Sequence, residues 1–136
     1  MNSTLIALTG FVSWTLFLLV LMESIRTKLV LSGSVRANGF DPGNSGLSPF
    51  MQRLARAHAN CIEGLPIFGS LMLIAVVVGK AGITDPLAYI FLTLRVLQSA
   101  IHLCSVSAPA VTLRFSAFAV QIGIGVYWAW SLLLSF

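Results

Sequence analysis

Arg53, Arg56, Asn60 and Glu63 recur at steps of three, four and three residues. At about 100° per residue, such steps hold all four side chains within one narrow arc of a helix and leave His58 well off it. Arg95, Gln98, Ser99 and His102 share a second helical face, while Glu23, Arg26 and Arg114 stand at the margins of other apolar runs. Arginine offers a rigid fork of donors that matches a carboxylate, and a positive field favours a thiolate over its thiol. The arginines outnumber the glutamates, so the set reads as a site for an anion. A blander alternative is that Arg95 and Glu63 only neutralise each other or neighbouring helices, because a charge deep in a membrane span is costly unless paired. Cys61 and Cys104 have no metal-ligand spacing; they read as small packing residues, and no metal site is expected.

Such residues need a scaffold, and composition says which kind. Of 136 residues, 57% are hydrophobic and 9% charged, where a soluble domain carries about 25% charged residues. That leaves too little polar surface for water, and the bilayer becomes the expected solvent. The net charge of +4 does not indicate nucleic acid, since the basic residues are scattered among apolar runs rather than along one stripe. The N-terminal run has no basic residue before it, so it reads as a retained span rather than a cleaved signal.

Four apolar stretches approach the ~20 residues that cross a bilayer as a helix. With their polar extensions they cover about 5–28, 48–79, 86–104 and 112–135, which predicts an all-α integral membrane four-helix bundle in a single domain. The Gly, Ser, Asn and Pro of residues 32–49 form the first connection. Gly79 to Gly82 form the second, with Asp85 as the expected N-cap and Pro86 at the first helical position. Ser105 to Pro109 form the third. Pro66 is expected to kink the second span mildly. Arg26, Lys28, Arg36, Arg53, Arg56 and Arg114 gather near the first and third connections against Lys80 near the second. The positive-inside rule then places both termini outside and the polar cluster near the cytoplasmic face. Trp128 and Trp130 are expected in an outer aromatic belt, in contact with lipid.

The run from Arg53 to Glu63, RLARAHANCIE, followed by Pro66 and Phe68, resembles the helix-2 signature RxxRAHxNxxE of the MAPEG family, the membrane-associated proteins of eicosanoid and glutathione metabolism. Six fixed positions within eleven residues make that likeness specific. Arg95-Val96 and Arg114, with Phe118 and Gly123 after it, are similar to the family's third and fourth helices, so the resemblance covers nearly the whole chain. It implies a homotrimer that binds glutathione between subunits as co-substrate. Asn60 and Glu63 then hold glutathione, with the glutamate on its amino group, and Arg56 and Arg53 lie beside them. Arg114 stabilises the thiolate and is the implied catalytic residue. His102 stands where relatives have a tyrosine, and Arg26 supplies the helix-1 basic group. Ala59, Gln98 and Phe118 depart from an arginine, a histidine and a tyrosine found in some members.

Taken with the family, these residues imply a detoxifying transferase or peroxidase. It would join the glutathione thiol to lipophilic electrophiles or reduce lipid hydroperoxides, at the boundary where a bilayer-dissolved small molecule meets a water-borne thiol. The alternative is a non-catalytic protein of the same fold that binds membrane lipid or assists a partner enzyme. A transporter is a weaker third reading, for nothing suggests inverted repeats or broken helices.

Overall fold

A computed structural model describes residues 2–136. Four long helices form an antiparallel bundle: α1 (Ser3–Leu31), α2 (Pro49–Val77), α3 (Ala81–Cys104) and α4 (Ala108–Ser135). All four are long and apolar enough to cross a membrane, and the described residues contain no strand. At 1.5 Å per residue, the 29 residues of α1 span about 43 Å, more than the ~30 Å hydrocarbon core. Their ends therefore reach past the apolar layer. The bundle is an integral membrane fold whose outer face is apolar: Leu16, Phe17, Val20, Ile67, Val126, Leu133 and Leu134 are all exposed.

Local chemistry sets the helix ends. Ser48 accepts from Met51 N at 3.3 Å with Pro49 at the first position of α2, and Ser107 caps α4 through Ala110 N at 3.4 Å. These are sites where a proline loses no helical bond and a short hydroxyl replaces one. At the end of α2, Gly79 adopts φ 73, and Lys80 N donates to Ala75 O at 2.7 Å, closing a Schellman turn.

Two features of the helix ends differ from the sequence expectation. The third helix starts at Ala81, five residues before Pro86, and α4 starts at Ala108. Asp85 therefore lies inside α3 and caps a different helix. Its Oδ1 accepts from Thr4 N at 2.9 Å and from Thr4 Oγ1 at 2.6 Å, satisfying the first turn of α1 across the bundle. Local spacing cannot separate a cap for its own helix from one for a neighbour.

The expected distortion at Pro66 takes the form of a π-helical turn, Leu65–Gly69. Proline lacks the N–H that an α-turn needs, and widening the turn keeps its ring off the preceding carbonyl.

The core is aromatic where the four helices meet. Phe91 sits 4.8 Å from Phe68, 5.5 Å from Trp128 and 5.7 Å from Phe11, ring centre to ring centre. Trp128 is wholly buried there, so its expected place in a lipid-facing belt is overturned; Trp130, 63% exposed, faces outward. Two residues apart on a helix, the two rings point about 200° apart, so only one could face lipid.

Candidate functional site

Arg95 is fully buried, and no carboxylate pairs with it. Its guanidinium lies 5.3 Å from the ring centre of Phe11, 5.8 Å from Phe118 and 5.9 Å from Phe68. Ring faces carry negative potential, so this box partly replaces water around the charge. Nη1 donates to Asn60 Oδ1 at 2.5 Å, while Nε and Nη2 are buried without a partner. Gly64 makes room for the group: a Cβ there would stand 2.8 Å from Nη2. The bland pairing of Arg95 with Glu63 is absent, because the one ion pair among the described residues joins Arg26 to Glu23.

From Arg95 a chain of amides runs to α4. Gln98 Nε2 donates to the same Asn60 Oδ1 at 3.1 Å, and Gln121 Nε2 donates to Gln98 Oε1 at 2.8 Å. A cavity of about 300 Å³ opens beside this chain, lined by Asn60, Gln98, His102, Val111, Arg114, Phe115 and Phe118. No carboxylate lines it, and Arg114 enters it half-buried. Asn60 and Phe118 also line a second cavity, about 660 Å³, which runs between α2 and α4 past Glu63, Gly64, Phe68, Ile122 and Gly125 to Ala129. A polar chamber and an apolar groove thus share a wall.

The remaining sequence-predicted residues divide by face. Glu63 is exposed on the single chain and lines both the apolar groove and a cavity of about 650 Å³ on the other side of α2. That opposite cavity holds Glu23, Arg26 and His58, so His58 does face another neighbour. Arg26 is largely committed to the first connection: it donates to Glu23 Oε1 at 2.9 Å, to Asn44 Oδ1 at 2.5 and 3.0 Å and to Asp41 O at 3.2 Å. Arg53 Nε donates to Leu103 O at 2.8 Å, satisfying the end of α3. Arg56 is exposed. Neither Arg53 nor Arg56 lines the three cavities described.

Cys61 is buried, with Sγ 3.4 Å from Ser99 Oγ, and Cys104 is exposed; the two form no disulfide. No group of His, Cys, Asp or Glu among the described residues could hold a metal ion.

Sequence reasoning passed over Gln121, a buried amide inside the fourth apolar run. Its signal was present: it lies seven residues after Arg114 and three after Phe118, on the same helical face.

Comparison with known proteins gives one result. The sequence model described as "MAPEG family" matches residues 4–134. No curated protein and no solved structure matches the chain.

Proposed function

Because the chain belongs to the MAPEG family, we propose that it is a glutathione-dependent membrane enzyme acting on lipophilic electrophiles or lipid hydroperoxides. The observation that carries this reading is the shared wall: a donor-lined chamber with Arg114 opens beside an apolar groove between α2 and α4. Glutathione brings two carboxylates, an ammonium and a thiol. Arg114, Asn60 and His102 suit the negative groups, and Glu63, which lines the adjoining groove, suits the ammonium. Arg114 favours the thiolate. The sulfur then forms a bond to the electrophilic carbon, and the leaving group or opened ring takes the electron pair. With a hydroperoxide, two glutathiones become the disulfide while the peroxide becomes an alcohol and water.

Glu63 also supports association with a further copy of the chain, which the family resemblance makes a homotrimer. It is exposed on one chain, within a helix long and apolar enough to span the membrane, and lines cavities on both sides of α2. A neighbouring copy that brings its Arg26 side against the groove would cover that carboxylate. The excess of basic residues near the first and third connections supports a cytoplasmic position for the chamber and external termini.

Calorimetry with glutathione on the detergent-purified protein tests the reading, beside thiolate absorbance. Saturable binding is expected, weakened about tenfold in Glu63→Gln by loss of one charge-assisted bond, with the thiolate signal lost in Arg114→Ala. Absence of binding at millimolar glutathione would overturn it. The apolar groove, larger than the chamber, would then favour a non-catalytic lipid-binding or accessory protein.

A further inference from the structure

Arginine can only donate, and this fixes the direction of the whole amide chain. Arg95 Nη1 lies against Asn60, so the atom it meets must be the carbonyl oxygen. That oxygen then receives Gln98 Nε2, and Gln98 Oε1 receives Gln121 Nε2. The amide assignment follows from the network, since oxygen and nitrogen are otherwise interchangeable by shape. Both lone pairs of Asn60 Oδ1 are thereby taken within the protein. Its Nδ2 hydrogens remain for the chamber and groove that Asn60 lines. Meanwhile the Arg95 charge is fully buried, with aromatic rings around it and no anion paired to it.

We propose that Arg95 is a positioning residue: it holds Asn60 as a hydrogen-bond donor toward the chamber, and the negative charge of the bound ligand compensates its own buried charge. The inference rests on the glutathione reading only for the identity of the ligand. The orientation of Asn60 is a property of the chain alone. It also assigns a task to Gln98 and Gln121, which continue the donor direction across α3 to α4.

Asn60→Asp separates this role from a purely structural one. The substitution supplies Arg95 with a permanent counter-charge and replaces the donors by an acceptor. Ligand-free thermal unfolding should therefore shift upward, while glutathione binding falls by about tenfold or more. A residue that merely packs would move both readouts the same way. A double-mutant cycle adds the link to Arg95: Arg95→Lys should weaken glutathione binding in the wild type and add nothing in the Asn60→Ala background. A downward thermal shift in Asn60→Asp would overturn the proposal, as would equal effects of Arg95→Lys in the two backgrounds. If the wild type binds no glutathione, the function proposed above fails, and the ligand-free thermal shift still decides for or against the orientation of Asn60.

Discussion

Gly64→Ala tests the packing that supports the site. The added Cβ would stand 2.8 Å from Arg95 Nη2, 3.4 Å from its Cζ and 3.5 Å from Phe68 Cδ2. Ordinary contact needs roughly 3.4 Å or more, so the guanidinium must retreat by about 0.6 Å. It has little room, boxed by Phe11, Phe68 and Phe118 and tied to Asn60. Overpacking of this kind costs about 1–3 kcal/mol, and stretching the bond to Asn60 adds part of the ~1.5–3 kcal/mol that a charged hydrogen bond carries. Gly64 is itself helical and gains up to about 1 kcal/mol of helix propensity as alanine, so a net loss of about 2 kcal/mol is expected. Gly123→Ala is the matched control: it lies inside α4 with nothing within 4 Å of its added Cβ, and should fall between neutral and about 1 kcal/mol more stable through helix propensity. Denaturant titration in mixed micelles, followed by helical circular dichroism, compares the two. If Gly64→Ala unfolds together with Gly123→Ala, the guanidinium is not held where the geometry places it and the reasoning fails.

Two further perturbations probe the bundle and its first connection. Trp128→Ala removes a wholly buried ring packed at a tilt against Phe91 and should cost about 3–5 kcal/mol, whereas Trp130→Ala, mostly exposed, should cost far less; equal losses in the same titration would contradict the observed burial. Asp41 lies outside the spans, and hydrogen bonds from the Ser45 hydroxyl and backbone N–H hold its carboxyl below the ordinary 3.8. A depressed folded value means that its contribution is complete above the ordinary value and lost as pH falls through the depressed one. Pepsin cleavage within residues 32–48 should accordingly rise as pH falls below 3.8, relative to an unstructured peptide, and Asp41→Asn should abolish that rise; a rise retained in the variant would show that another group holds the connection.

How far the sequence could be read follows from where each signal resides. Four apolar runs and turn-rich connections are local, so the all-α membrane fold was legible from composition and length. The grouping of Asn60, His102 and Arg114 in one chamber was also legible, because antiparallel spans bring equal depths together and helical spacing gives the face. Partnerships across helices were not. Asp85 has the residue type and position of a cap, yet the turn it caps belongs to α1. Arg53 shares an arc with Asn60, yet its donor reaches the Leu103 carbonyl in the last turn of α3. Trp128 and Trp130 are chemically alike, and only the packing of Phe91 decides which is buried. The depth of Arg95 was readable; its aromatic box was not, because Phe11, Phe68 and Phe118 come from three different helices. In each instance the residue type stated what kind of bond was needed, and the tertiary fold chose the partner. A buried arginine without an acid therefore carries information of its own: aromatic rings and Asn60 meet its charge only in part, and on the proposal above the remainder is left for a bound anion.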